Sequence, residues 1–504
     1  MDFIYPVSYL ISLGGLIGWF FAQGNKRVSR KFSALFLTGF FFYLAALAFS
    51  SGTTPYKLLI LFRDMFVLGV VSQLFNVFKR NILLSLILAF AAGLTLYFSY
   101  FHVLLYTFPQ VETAMIDRDG EFFIQLDDSE ETTIAAITNK FDCTVERAFI
   151  PANADQTTLD DYYLVNLANN EKCEIKRLCR YLNRQPAIAW IEPNERIQIE
   201  APAATADVDS RHDFYFNDPG LRHQWGYIPM DVDALHRFLT ESGIKPRKTA
   251  TIAILDSGID GEHEDLRDGL VTYRAAYNKD ALGHGTHCAG IAGAVSNNGI
   301  GIASMTPTTE FVRIAAVRVM NQYGFGSQHS VIKGMIEAVD AGADVLSLSL
   351  GGPTQAKKER AYQEAVDYAR KHGALVIVAA GNNGRNARET TPANIEGVIT
   401  VAAVDRNHDR ASFSNTVEDL KMALAAPGVD IYSTKPGNAY QAHSGTSMAA
   451  PAVAGLAGLM KSLYPDLTTE EAYAIMHKTG KKTKAGPKSG RLIQPFAAVR
   501  QLVD

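Results

Sequence analysis

The sequence predicts three parts in series: an all-α transmembrane part, a small α+β unit, and an α/β domain built on a doubly wound parallel sheet. Three observations carry this prediction. Long apolar runs crowd the first 107 residues, short strands alternate with amphipathic helices through 121–200, and near-continuous apolar strands alternate with helical stretches from 249 onward. Strands apolar on both faces and separated by helices belong to a parallel sheet covered on both sides. The expected boundaries are 1–107, 108–205 and 206–504. Over the whole chain the net charge of -4 and the hydrophobic content of 47% hide this division, and they point to no nucleic-acid partner.

The segments 3–22, 32–50, 58–78 and 82–106 each approach or exceed the roughly 20 apolar residues that span a bilayer, so four helices are expected in the lipid. A cleaved signal peptide competes for the first segment. Its leading residues carry no positive charge, however, and Lys26, Arg27, Arg30 and Lys31 follow it. Those four residues, with Lys79 and Arg80, place the first and third loops in the cytoplasm, so everything after Tyr106 is expected outside it. Arg63 and Asp64 fall inside the third segment and read as an interfacial pair, with Arg63 reaching the outer surface.

In 121–200 the expected order is a strand at 122–126, a helix at 132–141, a strand at 162–167, a helix at 174–183 and a last strand at 187–199. The stretch 201–213, rich in Ala, Asp and small polar residues, reads as an exposed linker.

Beyond it, strands are expected at 251–255, 311–320, 344–350, 374–380 and 398–404, with helices at 327–341 and 355–372. A doubly wound sheet carries its site at the carboxyl ends of its strands. Asp256 and Asn382 follow two such ends. His284, in Gly283-His284-Gly285-Thr286-His287, opens a small-residue helix. Ser447, in Gly445-Thr446-Ser447-Met448-Ala449-Ala450-Pro451, stands at the entrance of another, where the helix dipole favours an oxyanion. Asp256, His284 and Ser447 supply an orienting acid, a base and a nucleophile. His287 is a competing histidine, but the i, i+3 spacing without a glutamate does not fit a zinc-binding pair.

The three motifs, in the chain order Asp, His, Ser, resemble those of the subtilisin-like serine proteases over the part of the chain that follows the linker. The resemblance implies hydrolysis of protein or peptide substrates without a cofactor for the chemistry. It implies that Asn382 donates to the oxyanion. Substrate backbone is expected along Ser349-Leu350-Gly351 and Gly324-Phe325-Gly326, with 349–351 and 379–381, including Gly381, walling the primary pocket. Those walls bring no carboxylate, so cleavage is expected to be broad or apolar-leaning. Gln224, Asp265, Asn298, Ile300 and Ile302 match positions that hold a structural calcium ion in relatives; ordinary turn chemistry is the competing account of the same residues. The unit before the linker, ending Ala189-Trp190-Ile191-Glu192-Pro193-Asn194, resembles the family's propeptides, a plain spacer being the alternative.

Cys143, Cys173 and Cys179 lie in that unit, with their connectivity open, and the resemblance implies that Cys288 is buried and unpaired. The expectation for the whole is an integral membrane serine endopeptidase with an extracytoplasmic catalytic domain, whose partners are its substrates, the lipid bilayer and its own propeptide-like unit. A membrane receptor that binds peptides through a protease-like domain is the rival from another class.

Overall fold

The computed structural model describes residues 4–48, 61–62, 64–65, 68–69, 122–126, 130–168, 172–199, 203–205, 214–354 and 359–504. The chain forms two compact units, 1–110 and 111–504.

In the first unit two helices, Ile4–Phe21 and Lys26–Ala48, pack through Tyr9, Leu13, Tyr43, Ala46 and Leu47, with Leu68 added from further along. By length and composition, Lys26–Ala48 is the one described helix able to cross a membrane. Asp64 is fully buried, its carboxylate accepts the Tyr43 hydroxyl at 2.9 Å, and its carbonyl accepts that of Tyr9 at 2.9 Å. Arg63, most of the third predicted span and all of the fourth lie outside the described residues.

The second unit begins with a four-stranded antiparallel sheet of β1 (Phe122–Leu126), β2 (Cys143–Arg147), β3 (Tyr162–Leu167) and β4 (Ile188–Pro193), in the order β2-β3-β1-β4. Two helices, Glu130–Thr138 and Lys172–Leu182, complete it. Ile137, Phe141, Leu178 and Leu182 fill the core on one side of the sheet. On the other side Phe123, Phe149 and Tyr162 join a core that continues into the following α/β domain. The expected last strand is in fact two, because Asn194 and Glu195 interrupt it before β5 (Arg196–Gln198). The chain then forms β6 (Ala203–Thr205).

The α/β domain contributes β7 (Ala250–Asp256), β8 (Leu270–Val271), β9 (Val312–Arg318), β10 (Phe325–Ser327), β11 (Val345–Leu348), β12 (Gly352–Pro353), β13 (Leu375–Ala379) and β14 (Thr390–Thr391). These are followed by β15 (Ile399–Val404), β16 (Ala423–Pro427), β17 (Ile431–Lys435), β18 (Ala439–Ser444), β19 (Lys481–Lys482) and β20 (Arg491–Leu492). Nine of these strands form one sheet in the order β19-β20-β16-β15-β13-β11-β7-β9-β8, parallel except for the β19 pairing. From β7 the chain goes to β9 on one side and to β11 on the other, which opens a crevice at the carboxyl end of β7.

The helix Thr446–Leu463 is buried along its whole length and packs on β7, β11, β13, β15 and β16. Its Ala and Gly residues let the backbone approach the sheet closely, which an amphipathic helix with long side chains could not do. The helix Arg360–Lys371 shows the other pattern: it buries Ala361, Tyr362, Ala365, Val366, Tyr368 and Ala369 and leaves its charged face outside.

Docking of the four-stranded unit on the α/β domain rests on helix ends. Glu192 on β4 accepts the N–H groups of Arg360 at 2.9 Å and Ala361 at 3.3 Å, which open one helix, and the Gln328 amide at 2.8 Å, which opens another. A carboxylate facing two helix N-termini meets unpaired donors and a favourable dipole. Burial nevertheless dominates and pushes the Glu192 carboxyl up to about 7.

Candidate active site

Asp256 ends β7, and its carboxylate receives the His284 ring: Nδ1 lies 2.8 Å from Oδ1 and 2.9 Å from Oδ2. Both side chains are buried. Gly285 makes the approach possible, since a Cβ there would meet the Gly258 carbonyl oxygen at 2.1 Å and the Asp256 Cβ at 3.0 Å. With Nδ1–H spent on Asp256, Nε2 keeps its lone pair and has no hydrogen-bond partner among the described residues. Burial lowers the affinity of the imidazole for a proton, but the Asp256 carboxylate outweighs this and holds its pKa well above the ordinary histidine value.

Ser447 sits at the second position of the helix Thr446–Leu463, and its hydroxyl donates to the Ser349 carbonyl at 3.2 Å. That hydroxyl makes no hydrogen bond to His284, whose Nε2 has no partner among the described residues. Pro451, one turn on, has no N–H to give to the Ser447 carbonyl. That freed oxygen accepts the Ser349 hydroxyl at 2.8 Å and the Cys288 thiol at 3.4 Å, which fixes the start of the helix against β11 and against the histidine helix, His284–Gly293. Cys288 is buried and free, and burial pushes its thiol pKa up. Cys179 is free as well, and Cys173 has no described side chain.

Asn382 is held by its carbonyl oxygen, which accepts the Thr446 N–H at 2.8 Å and the Thr446 hydroxyl at 2.9 Å. Its NH2 group is left toward the cleft, which it lines together with Ser447. His287 is turned away from this chemistry: its Nε2 lies 2.9 Å from the Gln441 carbonyl, and its ring meets that of His443 edge-on.

Sequence inspection missed Asp280, the hub behind the dyad. Its carboxylate accepts N–H groups from Leu282, Gly283 and Thr286 and hydroxyls from Ser257 and Thr286. Ser257 in turn gives its N–H to Asp256 Oδ1 at 2.7 Å. An Asp shortly before a helix is a recognisable capping signal, and here it sets the entry of the histidine helix. Asn415 was missed too. It accepts the N–H groups of Asn383 and Arg385 and donates to the Ala380 carbonyl and the Thr390 hydroxyl, so it shapes the pocket wall.

The segments named for substrate already hold a strand. β5 pairs antiparallel with β10, which contains Phe325 and Gly326. Gln198 N–H donates to the Gly351 carbonyl at 3.2 Å, and Ile199 N–H to the Gly324 carbonyl at 2.9 Å. β6 pairs with β18, whose last residue, Ser444, lies three before Ser447. The tail of the four-stranded unit is therefore bonded to both flanks of the serine. Leu350 is buried, while Gly381 takes a positive φ of 96° and forms part of the cleft, whose volume is about 400 Å³.

The residues expected to bind calcium are gathered, though not all through oxygen. Asp265, fully buried, accepts the Ile302 N–H at 2.8 Å and the Asn298 amide at 2.9 Å, and Gln224 pairs with the backbone of Ala303. The N–H of Ile300 bonds to the Asn298 side-chain oxygen. Burial pushes the Asp265 carboxyl up to about 7, and the nearby Asp218 and Glu264 add to the rise. A buried carboxylate among like charges fits a hard cation with oxygen ligands.

A model described as the subtilase family matches residues 247–492. Thermitase of Thermoactinomyces vulgaris is 44% identical over 220 residues, 42% of this chain and 75% of that protein. Subtilisin DY of Bacillus licheniformis is 40% identical over 226 residues, 44% of this chain and 79% of that protein. Subtilisin E of Bacillus subtilis (strain 168) is 33% identical over 342 residues, 66% of this chain and 77% of that protein. With an Asp–His pair at hydrogen-bond distance, a serine at a helix entrance and relatives of this similarity, the chain belongs to the subtilase family and is a serine endopeptidase.

Proposed function

We propose that this protein is a membrane-anchored endopeptidase kept latent by its own residues 122–199 and freed by a cut it makes in the following linker. Ser447 Oγ attacks the peptide carbonyl and forms a C–O bond while its proton passes to His284 Nε2. Asp256 holds the imidazole in that tautomer and stabilises the imidazolium. The oxyanion takes hydrogen bonds from the Asn382 amide and the Ser447 N–H. Breaking the C–N bond returns the proton from Nε2 to the leaving amine, and water repeats the sequence on the acyl-enzyme.

The observation that carries the latent state is the seating of β5 between β10 and Gly351, where main-chain pairing would otherwise bind substrate. The match to Subtilisin E adds to it: 66% of this chain is more than 206–504 contains, so that match reaches back into the four-stranded unit. Anchoring is supported by the helix Lys26–Ala48 and by the basic residues at its start, which orient the rest of the chain to the far side of the membrane.

A blot with a carboxyl-terminal tag tests the proposal. Wild type is expected to yield a fragment beginning within 200–213, and His284→Ala only the full-length band. Full-length protein in both would overturn self-processing, and a fragment in both would assign the cut to another protease.

The proposal includes a calcium ion held by Asp265, Asn298, Gln224 and the carbonyls of Ile300 and Ile302. It would neutralise the buried carboxylate and tie down the loop, with no part in hydrolysis. Excess chelator is expected to lower the melting temperature of wild type and to leave that of Asp265→Asn unchanged. An equal response from both proteins would remove the ion from the proposal.

A further inference from the structure

The cleft beside Ser447 is lined by Ser349, Ala379, Gly381, Thr390 and Arg385, among others. None of its lining residues is a carboxylate, and Arg385 is the one cation that the α/β domain gives it among the described residues. Arg385 is exposed, and its described hydrogen bonds all run through its backbone: its N–H goes to Asn415 Oδ1 at 2.9 Å, and its carbonyl accepts the Thr416 N–H. The loop is pinned through its backbone, while the exposed residue borders the cleft. The second cation at the cleft, Arg196, comes from the tail itself and lies over the Phe325 ring, 4.0 Å from its centroid, so it leaves when the tail leaves.

The seated tail supplies the register. Gln198 faces Gly351 in an antiparallel bridge, so a chain that continues in this register brings its residue two positions later opposite Ser349. Ser349 is the residue whose carbonyl holds the Ser447 hydroxyl. A substrate residue at that position therefore presents its carbonyl to Ser447 and its side chain to the pocket that Arg385 flanks. In the chain's own sequence the residue two after Gln198 is Glu200, followed by Ala201.

From this register and this pocket we infer that the enzyme favours an acidic residue, glutamate above all, on the amino side of the bond it cuts, and that Arg385 sets that preference. The inference rests on Ser447 as nucleophile and replaces the broad or apolar-leaning preference suggested by the pocket walls alone. Its consequence for the chain's own maturation is a cut between Glu200 and Ala201.

Two fluorogenic peptides that differ only in Glu or Lys before the scissile bond test it on the full-length protein in detergent, wild type and Arg385→Glu. A fluorophosphonate label on Ser447 reports competence independently. Wild type is expected to show the higher kcat/KM with the Glu peptide. An exposed ion pair is worth up to about fivefold in affinity, and reversal trades attraction for repulsion with one peptide and the opposite with the other. The Glu-to-Lys ratio is therefore expected to fall by on the order of tenfold in Arg385→Glu. A ratio unchanged by the substitution, or a wild type that prefers Lys, overturns the inference. If protein whose linker is already cut, as the carboxyl-terminal blot reports, takes no label and cuts neither peptide, Ser447 as nucleophile fails, and the inference fails with it.

Discussion

Ser447→Ala is expected to abolish peptide hydrolysis and leave the fold intact. The corresponding serine substitution in subtilisin lowers turnover by about 10⁶-fold, and a loss of that order is expected here. The nucleophilic oxygen is gone. The structural cost is small, because the change removes one atom from a helix made of small residues. The bond lost is the hydroxyl's to the Ser349 carbonyl, worth about 1 kcal/mol. The Ser447 carbonyl keeps its bonds to Ser349 and Cys288, so the helix entrance stays in place. Hydrolysis and a melting curve, measured on the same preparation, check this. Turnover surviving at the wild-type rate would end the case for Ser447.

Asn382→Ala is expected to cost about 100- to 1,000-fold in kcat with little change in KM, the size known for the oxyanion donor of subtilisin. The split follows from the geometry. The NH2 group gains its acceptor only when the carbonyl oxygen becomes an oxyanion, so the transition state loses more than the bound substrate. Asn382 also positions Thr446, and alanine removes that role as well. Asn382→Asp separates the two roles: it keeps an acceptor for Thr446, removes the donor and adds a negative charge facing the oxyanion. Its activity is expected to be no higher than that of Asn382→Ala. Recovery in Asn382→Asp would show that Asn382 acts by positioning the helix rather than by touching the reacting oxygen.

The central strands were legible because burial on both faces demands unbroken apolar runs, as in Ile252 to Leu255 on β7 and Val376 to Val378 on β13. The dyad and the serine were legible because each stands at a strand or helix end, where chemistry and local geometry constrain the same few residues. β2, β17 and β18 gave no such signal. Glu146, Arg147 and Lys435 are exposed, and these strands are held by cross-strand bonds rather than by apolar periodicity. The turn that joins β17 to β18 was nevertheless written in Gly437 and Asn438, both at positive φ. Asp280 and Asn415 escaped notice for another reason. Asn415 bonds mostly to backbone N–H and C=O groups of distant loops, which carry no residue code, and Asp280 is joined to the dyad through Ser257, which only the fold brings to it. The hydroxyl that Asp64 accepts from Tyr43, 21 positions earlier in the chain, had no local signal either.

The pairing of β5 and β6 on opposite flanks of Ser447 sets how the proposed latency responds to concentration. A strand joined to its own binding groove is present at an effective concentration on the order of millimolar, whatever the amount of enzyme. Substrate at micromolar levels competes poorly against it, and dilution gives no relief. Once the bond between Glu200 and Ala201 is broken, β6 stays joined to the α/β domain, while β5 becomes a separate ligand whose occupancy falls on dilution. The same contacts that form an internal plug before the cut become a weak, titratable inhibitor after it, without any change in the cleft itself.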